Sequence, residues 1–208
     1  MVRPRREEQI DIARRAVEVT IEQIDQKGEE ALTLAAVAAD VGCRAPALYS
    51  HFASKDALLR AAHDEGFRML LDGKMALAVR TKGDVLGRLR EGGLAYLRFA
   101  FEHPGLYRLM FSPPGGGLFG NPFGEDAGRR CLDVLGAAVR GCQDEGYLAD
   151  VDTDQMVFLL WSLVHGAAML VLQGRAPLRT GEEPARAAER CVDAIMQVIA
   201  NSREIHAA

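Results

Sequence analysis

Through most of this chain the apolar positions recur at the i, i+3, i+4 spacing of helices that bury one face. Ile10, Ala13, Val17, Ile21 and Ile24 predict a first helix from about Arg5 to Gln26, with Gly28 as its stop. Leu34, Val37, Ala38 and Val41 predict a short second helix, N-capped by Thr33. Gly42 can leave that helix with a positive φ, and Pro46 suits the first turn of the next, where a missing N–H costs nothing. The third helix is expected over about Pro46–His51, turning Leu48 and Phe52 inward. Ser54 caps a long fourth helix to about Arg80, striped with Leu58, Leu59, Ala62, Phe67, Met69 and Leu70. Lys82-Gly83-Asp84 breaks the pattern ahead of a helix from Val85 to about His103, and Pro104 opens a short turn to Phe111. A further helix spans about Asp126 to Glu145, with Cys131, Leu132, Leu135, Val139 and Cys142 inward, the two cysteines as small core residues rather than ligands. The expected fold is all-α with about nine helices: a three-helix head over 1–53 and a helical body over 54–208.

Asp152 caps a helix in which Met156 to Leu172 is almost wholly apolar. The run falls just short of the roughly 18–20 residues of a membrane span, and Ser162 and His165 interrupt it, so no membrane partner is expected. A helix apolar on all sides must be covered on all sides. The last helix, with Thr180 and Glu183 spaced as a capping box, offers one face: Ala188, Cys191, Val192, Ile195 and Ile199. One such helix cannot wrap the run, so the same two helices of a second copy, about 152–172 and 184–201, are expected to complete a four-helix homodimer interface.

Composition narrows the function classes. A net charge of -4 and a pI near 5.8 exclude a generally basic nucleic-acid binder. Up to Lys55 there are eight Lys/Arg against nine Asp/Glu, so the head stands at -1. Any electrostatic footprint is local: Arg3, Arg5 and Arg6 in the N-terminal arm, Arg44 and Lys55 beside the third helix. Cysteines 43, 131, 142 and 191 form no C-x-x-C pair and, with no apolar leader at the N-terminus, suit a cytoplasmic protein. No metal, cofactor or catalytic site is expected. The five histidines form no H-E-x-x-H, no serine sits in a G-x-S-x-G elbow, and His63 and Glu65 fall on different helix faces. Ser112–Glu125, SPPGGGLFGNPFGE, lacks the Lys-Ser/Thr of a phosphate loop and reads as a connector or a mobile loop beside a pocket.

A helix of about seven residues is about 10 Å long, and a B-DNA major groove is about 12 Å wide. The outer face of the third helix, Arg44, Ala45, Ala47, Ser50 and His51, therefore suits groove insertion: small side chains allow close approach, and Arg44 can reach guanine O6 and N7. Tyr49, His51 and Lys55 carry donors for phosphate oxygens. The run Ala38–Leu59, with Gly42, Pro46, Leu48-Tyr49, His51-Phe52 and Ser54-Lys55 in order, resembles the N-terminal domain of TetR/AcrR-type transcriptional regulators. That resemblance implies Thr33, Arg44, Ala45, Pro46, Ala47, Tyr49, His51 and Lys55 at the DNA surface. Cys43 and Ala35 depart from the usual pattern. YLRFAFEHPGLYRLMF from Tyr96 to Phe111, with Trp161, His165 and Gly166, is similar to the Trp-His-Gly (WHG) C-terminal domain of a branch of these regulators, over about 84–175.

These readings converge on a homodimeric repressor of a palindromic operator, released when a small apolar effector enters a pocket drawn from Phe67, Tyr96, Phe99, Met110, Phe111, Phe158, Trp161, His165 and Met169. Trp161 and His165 lie at i, i+4, equally compatible with plain core packing. The long fourth helix, shared by head and body, is the expected route of coupling. The alternative is a helical ligand-binding or interaction protein without specific DNA binding.

Overall fold

A computed structural model describes residues 11–111 and 127–203; the expectations for the arginine arm, for Ile10, for Ser112–Glu125 and for His206 lie outside the described residues. The fold is all-α, with nine α-helices and no strand among the described residues. The chain divides into two compact units. The first holds the described residues up to Gly66 together with Gly105 to Phe111, and the second holds Phe67–Pro104 and the described residues from Ala127 onward.

In the first unit, α1 (Ile12–Lys27) starts where Asp11 accepts from the Arg14 amide and stops at Gly28, whose φ is 81°. Its inner side is Ala16, Val19, Ile21 and Ile24, with buried Gln23 donating to Asp40 at 2.7 Å. A 3-10 turn (Glu29–Ala31) leads into α2 (Leu34–Val41), which buries Val37, Ala38 and Val41, as the apolar stripe predicts. Then come α3 (Ala45–Tyr49) and the start of α4 (Lys55–Arg80). Ser54 caps α4 by accepting from the Ala57 amide at 3.1 Å.

The short stretch after Pro104 is a helix, α6 (Pro104–Met110), where the sequence predicts only a turn. The reason is a residue far away in the chain: the Asp25 carboxylate accepts from the Gly105 and Leu106 amides at 2.8 and 2.9 Å, satisfying donors that a helix start leaves open. The approach is so close that a Cβ on Gly105 would overlap the Ile24 carbonyl, and Leu106, Tyr107, Leu109 and Met110 are buried.

The second unit contains the rest of α4, then α5 (Val85–Glu102), α7 (Ala127–Asp144), α8 (Thr153–Leu172) and α9 (Pro184–Asn201), with α5, α7, α8 and α9 packed on one another. Asp84 and Asp152 cap α5 and α8 as predicted, accepting from Gly87 at 2.7 Å and Gln155 at 2.9 Å. Leu89, Val139, Cys142, Met156, Leu160 and Ile199 form the centre of one core cluster. Two expectations are corrected. The capping box at Thr180 does not form: Gly181 takes a φ of 73°, Thr180 lies exposed in a turn, and α9 begins at Pro184 after Glu183, which makes no side-chain cap. Proline imposes this start, because its missing N–H is harmless only in a first turn. Cys191 faces outward, leaving Ala188, Val192 and Ile199 as the buried residues of the expected α9 face.

Gly105→Ala is expected to lower stability by about 3 kcal/mol, since backbone and not a mobile side chain occupies the space. Thermal denaturation followed by circular dichroism checks this; an unchanged melting temperature contradicts the close approach.

Candidate nucleic-acid interface

Thr33 accepts from the Ala36 amide at 3.1 Å and sets the start of α2. Gly42 ends it in the left-handed region, φ 76°, its amide and that of Cys43 returning to the carbonyls of α2. The chain then extends through Arg44 and enters α3 with Pro46 in its first turn. The helix is shorter than predicted, ending at Tyr49, with Ser50 and His51 in the turn that follows. Leu48 is fully buried and is the anchor of the element.

Around that anchor the predicted side chains separate by role. Arg44, Ala45, Pro46, Tyr49, Ser50 and His51 are exposed, Tyr49 at 53%, while Ala47 is half-buried. Among the described residues, the side chains of Arg44, Tyr49 and His51 hold no hydrogen bond or ion pair, so their donors face outward unspent. Ser50 is different: its hydroxyl donates to the Ala47 carbonyl at 2.7 Å. Lys55 is half-buried, and its ammonium donates to the Glu29 carbonyl at 2.7 Å, which ties the start of α4 to the 3-10 turn. Its role in holding the head together could not be read from spacing, because Glu29 contributes a backbone atom.

The residues expected to line an effector pocket fall in both units. Met110 is buried and Phe111 half-buried in the first, where Phe111 packs on Tyr107 with ring centroids 4.9 Å apart. In the second unit Phe67, Tyr96 and Phe99 are buried, Trp161, His165 and Met169 half-buried, and Phe158 is 66% exposed. The structure joins three of these directly. Trp161 Nε1 donates to the Tyr96 hydroxyl at 3.3 Å, and that hydroxyl lies 3.2 Å from His165 Nδ1. Burial lowers the His165 pKa, favouring the neutral imidazole. Lys74, absent from the predicted set, stands with its ammonium 6.0 Å from the centre of the Tyr96 ring. No group of three or more potential metal ligands occurs among the described residues.

A model described as bacterial regulatory proteins of the tetR family matches residues 11–62, and one described as a tetracyclin repressor-like C-terminal domain matches residues 89–195, just over half of the chain. Neither description names the Trp-His-Gly subtype. The nucleoid occlusion factor SlmA of Sodalis glossinidius is 37% identical over 87 residues, which are 40% of this chain and 41% of that protein, so the match spans well under half of that relative. A Rhodococcus sp. RHA1 protein of unknown function superposes with a TM-score of 0.77 at 20% identity, covering 94% of this chain and 99% of that one. A putative TetR-family transcriptional regulator from Mesorhizobium loti gives 0.70 at 17% identity, covering 90% and 96%. A TetR-family regulator from Pectobacterium atrosepticum gives 0.68 at 20% identity, covering 96% and 97%. At these identities the structural likenesses speak for the fold.

Gly42→Ala is expected to destabilise the head by about 1–2 kcal/mol, the cost of holding a Cβ-bearing residue in the left-handed region. Urea denaturation monitored by circular dichroism checks the loss; a midpoint equal to that of the unaltered protein removes the strain argument.

Proposed function

This chain belongs to the TetR family of bacterial regulatory proteins and is a DNA-binding transcriptional regulator, and we propose that it works in the cytoplasm as a homodimeric repressor released from a palindromic operator by a small molecule. The observation carrying the reading of the interface is the set of unspent donors on Arg44, Tyr49 and His51 around the buried Leu48. Arg44 is assigned to base edges, and Tyr49, His51 and Lys55 to phosphates. Thr33 and Ser50 flank them, and Ala45, Pro46 and Ala47 allow the backbone to approach the groove. The domain division at about residue 53 is kept as a functional boundary: DNA reading before it, effector binding and dimerisation after it.

The dimer rests on α8. Its mean hydropathy reaches 1.8, long and apolar enough to cross a membrane, yet only 22% of that window is buried within the chain. Phe158, Leu159 and Leu170 on α8 and Val198 on α9 are exposed, more apolar surface than a lone soluble chain tolerates well. A second copy related by two-fold symmetry covers both helices, and two heads so related call for half-sites about one DNA turn apart or slightly more. The Tyr96–Trp161–His165 cluster, with Phe67 and Phe99 buried in the same unit, supports an effector pocket that is apolar with a few placed polar groups. An effector releases the operator only by binding the DNA-incompetent state more tightly. No residue is assigned a catalytic role. The acidic head favours a second reading, a ligand-binding protein without specific DNA recognition, and titration decides between them.

In fluorescence anisotropy at stated salt with DNA from the region upstream of the chain's own gene, Arg44→Ala with Tyr49→Ala is expected to weaken binding about tenfold or more. The melting temperature should hold, whereas Lys55→Met should lower both, having lost the bond to Glu29. Equal affinity of the double variant and the unaltered protein would falsify the interface. Leu159→Glu with Val198→Glu is expected to yield helical monomers in sedimentation velocity; persistence of the dimer would remove α8 and α9 from the interface.

A further inference from the structure

Within the second unit the inward stripe of α4 runs Phe67, Leu70, Leu71 and Leu77, each buried. Lys74 occupies the position on that stripe where the spacing calls for another apolar side chain. It is half-buried, and burial lowers its pKa, with Cys131 acting in the other direction. None of the ion pairs among the described residues uses its ammonium.

The described groups beside it carry no negative charge. Tyr96 presents its ring face, at the outer limit of a cation–π contact. The Cys131 thiol is pushed up to about 11 by burial and stays protonated. His165, beyond the Tyr96 hydroxyl, is held towards its neutral form. A methionine would fill the same length without desolvating a charge, so the lysine costs stability unless something pairs with it. On α5, one helical turn before Tyr96, Gly92 has no described residue within 4 Å of where a Cβ would stand.

We propose that the effector is an amphipathic organic carboxylate whose charged end pairs with Lys74 and whose apolar part lies along Tyr96 and Phe67. The inference rests on the reading that the body takes an effector, and it adds the chemical class. One ammonium matches one carboxylate. A phosphate dianion would want a second cation at the same depth, and Arg130, near enough to influence Cys131, is exposed.

Trp161 is the chain's single tryptophan and is hydrogen-bonded to Tyr96, so its emission reports occupancy without DNA. The full-length protein is titrated with octanoate, palmitate and phenylacetate, each beside its neutral amide. At least one carboxylate should shift the emission saturably and bind about tenfold or more tightly than its amide. Lys74→Arg should keep that preference and Lys74→Met should lose it, while folding at least as stably as the unaltered chain. No binding by any carboxylate, or an unchanged preference in Lys74→Met, overturns the proposal. The same ligands are then added to the operator complex. Operator binding with no carboxylate site refutes this inference alone, whereas a carboxylate site without operator binding refutes the regulator reading alone.

Discussion

The burial of Leu48 is the constraint on which the proposed DNA-reading element depends. A helix of five residues makes too few hydrogen bonds to hold its shape in water. Its geometry comes from outside: Leu48 is fully enclosed, Pro46 presets the first turn, and Gly42 delivers the chain in a conformation that other residues resist. Fixing one apolar side chain inward fixes the opposite side outward, which is how Arg44, Tyr49 and His51 come to face solvent together. Lys55 and Thr33 secure the two neighbouring helix starts, so the polar groups nearest the element serve its placement as much as any ligand.

Local chemistry was legible in the sequence wherever cause and effect lie within a few residues. Thr33, Gly42, Ser54, Asp84 and Asp152 mark element ends in the structure as they do in the residue pattern. Cause at a distance was not legible. α6 forms because Asp25 receives its first amides, and nothing near Pro104 announces that carboxylate. The start of α9 departs from the residue pattern because Thr180 and Glu183 have the spacing of a capping box but Gly181 and Pro184 impose a different backbone. Lys74 does carry a signal in the sequence, a cation on an apolar stripe.

The two long apolar surfaces of the body have opposite fates. The α7 stripe is absorbed by the chain itself, with Cys131, Val139 and Cys142 buried. The α8 stripe is not, although its composition is the more hydrophobic, and Phe158 and Leu159 remain outside. Periodicity separates these cases: α7 is apolar on one side and is covered by α5 and α8, whereas α8 is apolar nearly all round and exceeds what α5, α7 and α9 together cover.

The slight acidity of the head bears on how such a regulator finds its site. Attachment to random duplex draws almost wholly on phosphate neutralisation and counterion release. A head carrying -1 overall gains little from that source, with its arm included in the count. The expectation is brief residence on unrelated chromosome and a shallow ionic-strength dependence of association, with discrimination left to the side chains proposed to meet base edges. Weak adhesion everywhere else makes a modest number of specific contacts sufficient.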